Sequence, residues 1–176
     1  MHSVVLLSGG IDSAVCLALQ RKTDTCAIGV NYGQPHAIEL EYAKQIAAEE
    51  EVPFEILKMP SCKKSDDVVF NGRNFAMIGL AVAYAAGAGA TKIIVGSNFT
   101  DFARFPDCRP EFFKCVNHAL DAAEYDIWVS APLLHKTKKQ VMQMAKDLKV
   151  GRTWSCYNPQ GDQPCGKCLA CEVRAA

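Results

Sequence analysis

Ser3-Val4-Val5-Leu6-Leu7-Ser8-Gly9-Gly10-Ile11-Asp12-Ser13-Ala14-Val15-Cys16-Leu17 begins with an apolar run, passes through two glycines and continues into a helix-like repeat. The run at residues 3–7 reads as a strand. Apolar residues at Ile11, Val15 and Leu19 fall at helical spacing, so the spacing predicts a helix over 11–20. Strand, tight turn and helix form the first unit of an alternating plan. The plan continues with an apolar run at 25–30, a helical pattern across 37–50 and a short run at 54–57 after Pro53. A small-residue helix follows Gly72, then a strand at 92–95, a helix from 110 to about 123, a strand at 127–129 and a helix around 138–148. Such alternation predicts an α/β fold with a mostly parallel sheet covered on both faces. Ligands of such sheets bind beyond the carboxyl ends of the strands, where residues 8–13, 31–36 and 96–109 are expected.

The chain has 176 residues, enough for one domain that buries roughly two thirds of its extended surface. Nineteen Lys and Arg balance nineteen Asp and Glu, which argues against a nucleic acid or a membrane surface as the main partner and for a small ligand in a cleft. The start lacks the basic segment, long apolar core and cleavage site of a secretory signal, so the mature protein is expected to begin here and to be cytoplasmic. Residues 75–90 are weakly polar but fall short of the roughly 20 residues of a bilayer span. A buried helix is the expectation there. The polar stretch at 60–71 reads as a mobile loop and 158–164 as an irregular turn.

Nine cysteines in such a chain do not suggest a disulfide framework, because the cytosol keeps thiols reduced. Cys16, Cys26, Cys62, Cys108 and Cys115 are scattered, whereas Cys156, Cys165, Cys168 and Cys171 crowd one terminal segment. Four thiolates, three of them at x-x spacings, are the number that closes a tetrahedral zinc site. Zinc with four protein ligands has no open position, so one structural Zn²⁺ is expected to pin the tail over the sheet edge. An iron–sulfur cluster is the chemical rival. The expected division is a nucleotide-binding domain over 1–150 and a four-cysteine zinc tail over 151–176, packed on it.

Between the first strand and helix, two glycines let the backbone approach an anion, and helix N-terminal amides add donors and a positive dipole end. The Ser8 and Ser13 hydroxyls can add hydrogen bonds, while a plain helix start with Asp12 or Ser13 as N-cap is the bland alternative. The string Ser8-Gly9-Gly10-Ile11-Asp12-Ser13 resembles, in its Ser-Gly-Gly-x-Asp-Ser pattern, the loop of the PP-loop ATP pyrophosphatases. That resemblance implies attack on the α-phosphate of ATP, with release of pyrophosphate and transfer of AMP to the substrate. No Walker Gly-Lys-Ser or Gly-Lys-Thr is present. Mg²⁺ is expected with the ATP, and Asp12 is a candidate direct or indirect partner for it.

Further segments narrow the resemblance. Ser155-Cys156-Tyr157 followed by Cys165-Gly166-x-Cys168-x-x-Cys171 is similar to the 7-cyano-7-deazaguanine synthase family. So are Asn31-Tyr32-Gly33-Gln34-Pro35-His36, Gly72-Arg73-Asn74, and Thr100-Asp101-Phe102 with Pro106-Asp107-Cys108-Arg109. The family's Rossmann-like fold, of the adenine nucleotide α-hydrolase type, and its activity are then implied. Two ATP convert 7-carboxy-7-deazaguanine and ammonia to the nitrile, through an acyl-adenylate and an amide, in queuosine or other deazapurine biosynthesis. A homodimer is also implied, with no direct nucleic-acid or membrane partner.

Carried over by position, Ser8, Gly9, Gly10, Ile11, Asp12 and Ser13 hold the nucleotide with Arg73, Gly96 and Ser97. Tyr32, Gln34, Asp101, Phe102, Asp107 and Arg109 face the deazapurine and its carboxylate, by stacking, hydrogen bonds and charge pairing. Asp12, His36 and Lys138 are the catalytic candidates. Ordinary ion pairs are the alternative for Arg73 and Arg109, a cap for His36 and a solvated helix face for Lys138.

Three departures from the family pattern stand out: the stretch at 60–71 is short, Gln140 stands where an acidic residue is typical, and the chain stops just after Arg174. Three rivals follow. One is a related enzyme that stops at the 7-amido product or takes another carboxylate. Another is a tRNA-thiolating enzyme, which should carry a basic surface. The third is a non-catalytic zinc-stabilised nucleotide-binding protein.

Overall fold

In a computed structural model, which describes residues 2–20, 22–60, 71–102 and 105–175, five strands form one parallel sheet. They are β1 (Ser3–Leu6), β2 (Thr25–Asn31), β3 (Phe54–Lys58), β4 (Lys92–Ile94) and β5 (Trp128–Ser130), in the order β3-β2-β1-β4-β5. β1 pairs with β2 from Ser3 opposite Thr25 and with β4 from Ser3 opposite Lys92. Seven helices are described: α1 (Ile11–Ala18), α2 (Glu39–Glu49), α3 (Arg73–Ala88), α4 (Phe99–Phe102), α5 (Pro110–Ala122), α6 (Lys138–Asp147) and α7 (Leu169–Ala175).

Strand side chains alternate in direction, and here both sides are apolar. Val5 and Ile94 join Val15, Ala43, Ile46 and Val141, which puts α1, α2 and α6 on one face. Val4 and Ile93 join Ile78, Ala81, Phe113 and Val116, which puts α3 and α5 on the other. This is the doubly covered α/β sheet expected from the alternation. The chain winds outward from β1 in both directions, so the switch point lies between β1 and β4, at the carboxyl end where the Gly-Gly loop begins.

The expectation for 75–90 needs correction. α3 covers this stretch but buries only Ile78, Ala81 and Ala85, and Phe75 is 64% exposed. A helix laid on one side of a sheet buries a single stripe, however small its residues. With α5 it frames an apolar surface groove of about 280 Å³, lined in part by Phe75, Val82, Phe112 and Ala119. Among the described residues no helix is long and apolar enough to cross a membrane. The short stretch read as a mobile loop, with Cys62, falls mostly on residues 61–70, outside the described residues.

Candidate active site

Gly9 leaves β1 at φ +84°, a conformation glycine adopts freely, and its position tolerates no side chain. An ideal Cβ there would lie 2.1 Å from the backbone carbonyl of Glu39. The phosphate-type loop is thus pressed against the first turn of α2. Gly10 is the N-cap of α1 and supplies no side-chain cap, so the leading amides of α1 stay open to an anion. Inside the loop the Ser13 hydroxyl donates to the Gly10 carbonyl at 3.0 Å and lies 3.2 Å from the Ser8 hydroxyl. Asp12 is no N-cap. Its carboxylate accepts from Lys138 Nζ at 2.5 Å and from Asn98 Nδ2 at 3.1 Å.

The loop after β4 runs directly beneath α1. A Cβ at Gly96 would meet the Ser13 nitrogen at 2.8 Å. Ser97 and Asn98 are buried there, and Asn98 N–H donates to Asp101 Oδ2 at 3.1 Å. α4 follows, where Phe102 packs edge-on against Phe99 with ring centres 4.6 Å apart. Arg109 Nε donates to the Phe102 carbonyl at 3.2 Å, which ties the exposed Arg109 side chain to this loop. Asp107 lies on the 3-10 turn Pro106–Cys108 beside Cys108, whose thiol is pushed up to about 11, mainly by burial.

The loop after β2 is braced from within. Gln34 is 4% exposed; its oxygen accepts from Tyr32 N–H at 2.9 Å and its nitrogen donates to the Val30 carbonyl and to Glu39. Expected as a substrate contact, Gln34 has both amide ends engaged inside the protein and shapes the loop that presents Tyr32. The Arg73 guanidinium stands 6.0 Å from the Tyr32 ring centre and 3.5 Å from its hydroxyl. Its buried Nε has no hydrogen-bond partner among the described residues. A buried guanidinium nitrogen left this way suits an incoming acceptor such as a phosphate or carboxylate.

His36 is buried, 3.5 Å from Glu39 Oε2, with its ring edge-on to Tyr157 at 6.0 Å. Tyr157 lies within the fields of Asp101, Arg73 and Asp12, and its hydroxyl is shifted up, chiefly by burial. The Gly-Gly loop, the loop after β4 and Arg73 therefore all come near one tyrosine. Sequence reasoning placed Tyr157 only within a family pattern and did not single out Asn98 or Glu39. Asn98 is an unremarked polar residue after a strand, and Glu39 resembles any first-turn acid favoured by the helix dipole.

The tail brings Cys156, Cys165, Cys168 and Cys171 together, with all four Sγ atoms within 4.8 Å of one another. Ligands at about 2.3 Å from zinc stand about 3.8 Å apart in a tetrahedron, so small side-chain rotations suffice to close the site. Cys165 N–H already donates to Cys156 Sγ at 3.2 Å. Trp154 anchors this cluster, donating its indole N–H to the Cys156 carbonyl, and its backbone N–H donates to the Gly9 carbonyl at 2.8 Å. The cysteine-bearing tail is hydrogen-bonded to the Gly-Gly loop itself.

Comparison with known proteins bears on this arrangement. The family described as Queuosine biosynthesis protein QueC matches residues 2–68 and 60–176. A 7-cyano-7-deazaguanine synthase of Leptospira interrogans (strain Fiocruz L1-130) is 34% identical over 98% of this chain and 84% of its own length. The enzyme of the same name from Pseudoalteromonas translucida is 33% identical over 97% of this chain and 90% of its own. Solved structures share the fold at lower identity. A tRNA thiolase from Methanococcus maripaludis with its 4Fe-4S cluster superimposes at TM-score 0.66, with 16% identity, over 99% of this chain and 63% of that one. NMN synthetase from Francisella tularensis gives TM-score 0.63 and 20% identity over 94% of this chain and 70% of that one.

Proposed function

We propose that this chain, which belongs to the QueC family of queuosine biosynthesis proteins, uses two ATP to convert 7-carboxy-7-deazaguanine and ammonia to 7-cyano-7-deazaguanine. It is an enzyme that forms carbon–nitrogen bonds, with a role in queuosine biosynthesis. The observation that best supports the finer reading is that an uncapped Gly-Gly loop, with Lys138 and Asp12 beside it, and a half-buried Arg73, whose Nε has no hydrogen-bond partner among the described residues, both lie near Tyr157.

In this reading residues 8–13 and the Gly96-Ser97 turn cradle the phosphates of ATP. Lys138 stands beside the loop to neutralise charge that develops on the departing pyrophosphate. Asp12 orients Lys138 and offers its carboxylate to Mg²⁺, which when bound would supply further neutralisation. Tyr32, held by Gln34, and Phe102 offer faces to a flat deazapurine; Asp101, Asp107 and Arg109 offer polar contacts at its rim, and Arg73 faces the carboxylate. The substrate carboxylate attacks the α-phosphorus, ammonia displaces AMP to give the amide, and a second adenylation at the amide oxygen lets AMP leave as the nitrile forms. His36 is placed to assist proton transfer.

Zinc, in a purely structural role, is the proposed occupant of the four-cysteine cluster, and a homodimer is the proposed assembly.

The decisive experiment incubates the zinc-loaded protein with 7-carboxy-7-deazaguanine, ammonium, Mg²⁺ and ATP and follows the deazapurine and AMP by mass spectrometry. Nitrile with two AMP per product is expected. Amide as the end product would move the assignment to a one-step amidating enzyme, and unchanged acid without AMP would overturn the substrate.

A further inference from the structure

Asn98 is 1% exposed and engages its backbone N–H and C=O as well as both ends of its amide. Its Oδ1 accepts from Thr100 N–H at 2.8 Å, and its backbone N–H donates to Asp101 Oδ2 at 3.1 Å. These two bonds cap α4 reciprocally, in the manner of a capping box. α4 has four residues, too few to hold a helical turn by propensity, so its cap decides its shape. The amide nitrogen is not needed for the cap. It reaches the Gly-Gly loop, 86 positions away in sequence, and donates to Asp12 Oδ1 at 3.1 Å. Phe99 N–H in turn donates to the Lys136 carbonyl at 2.9 Å, and Lys138 pairs with Asp12 Oδ2. The bonds close a circuit that runs from Asp12 through Asn98, α4 and the loop before α6 to Lys138 and back to Asp12.

Capping alone is served equally by serine, threonine, aspartate or asparagine. Among these, asparagine is the one that offers an acceptor to a helix amide and, from the other end of the same planar group, a donor to a second partner. Serine and threonine have a single hydroxyl for both tasks. An aspartate would set a second carboxylate against Asp12. The residue type at position 98 therefore suits a double duty: it shapes the turn that carries Asp101 and Phe102, and it fixes the carboxylate that stands beside the Gly-Gly loop.

We propose that Asn98 is a positioning residue that couples the two halves of the site: a nucleotide engaging Asp12 sets the shape of α4, and a deazapurine held by α4 sets Asp12 for the nucleotide. This rests on the ATP and deazapurine sites proposed above, and the experiment separates the two. Such coupling is reciprocal, each ligand raising the affinity for the other by the same factor. Full-length zinc-loaded wild type is compared with N98S and N98D. The serine keeps a cap acceptor and falls short of Asp12, whereas the aspartate keeps the shape and the cap and has no donor. Calorimetry measures the binding of α,β-methylene-ATP with Mg²⁺ and of 7-carboxy-7-deazaguanine, each with and without the other. Hydrogen exchange follows the Thr100 and Asp101 amides with the nucleotide analogue alone.

In wild type each ligand is expected to tighten the other at least about fivefold, and the analogue alone to slow exchange in α4. In both variants the factor is expected to fall to about one and the slowing to vanish. A lowered melting temperature with the wild-type factor intact would make Asn98 a cap and nothing more, which overturns the proposal, as would independent binding of the two ligands to wild type. Wild type that binds the analogue and never 7-carboxy-7-deazaguanine would overturn the substrate reading instead. Hydrogen exchange then decides by itself: slowing lost in both variants upholds the link from Asp12 to α4, and slowing retained in them overturns it.

Discussion

Lys138 and Asp12 meet at 2.5 Å although 126 positions separate them, and their side chains are 31% and 21% exposed. A half-buried pair of this kind contributes on the order of 1 kcal/mol to folding. Lys138→Met is therefore expected to leave the melting temperature within a few degrees of wild type while substrate-dependent pyrophosphate exchange falls by about 10²-fold or more; a large drop in melting temperature with exchange intact would make the lysine structural. Glu39 behaves in the opposite sense. Its folded pKa is raised from 4.5 to about 7, so across that window the folded state binds more protons than the unfolded state and stability falls as pH rises. Above neutral pH the ionised, buried carboxylate costs up to about 3 kcal/mol. E39Q should melt higher than wild type at about pH 8, with the gain shrinking towards pH 5; a constant offset across that range would contradict the raised pKa. At this scale the sequence was legible where residue type and spacing carry chemistry, as in residues 8–13 or the four cysteines. Glu39 escaped because its burial is set by tertiary structure, and the inward-facing amide of Gln34 shows only through its partners.

Elements were legible because periodicity is local. The strands fall within a residue or two of the expected bounds, since each is a short run rich in apolar residues flanked by turn or polar residues. α4, with four residues, and α7, with seven, carry too few turns to show a period, and neither was expected. α6 explains an oddity of composition. Gln140, where an acidic residue is typical of the family, closes a capping box: Thr137 Oγ1 accepts from Gln140 N–H at 3.3 Å and Gln140 Oε1 accepts from Thr137 N–H at 2.9 Å. Thr137→Ala should cost about 1 kcal/mol in chemical denaturation, with the denaturant slope unchanged. Gly96 is the element-level constraint on the site, because a methyl there presses on the Ser13 amide. Gly96→Ala is expected to raise the KM for ATP at least about tenfold with the fold retained, as measured by initial rates and circular dichroism.

For the whole molecule, the tail matters through one backbone bond. Sequence spacing implied a structural metal that pins the tail over the sheet edge. Trp154, however, donates to the Gly9 carbonyl, and Trp154, Cys156 and Cys171 share an apolar cluster packed against Ile38 and Tyr42. Removing the metal with a strong chelator should therefore red-shift Trp154 fluorescence and weaken ATP binding in parallel, with both recovering on addition of Zn²⁺. Unchanged ATP affinity after the fluorescence shift would show the two ends to be uncoupled. What could be read from the chain alone were features written over short stretches: alternating strands and helices, the Gly-Gly turn into a helix, and four cysteines at ligand spacing. Strand order, the Lys138–Asp12 pair, the tail's hold on the phosphate loop and the buried state of Glu39 were settled by folding. Each depends on which faces meet across large sequence separations, and burial, which sets the charge state of a carboxyl group, has no value until those faces have met.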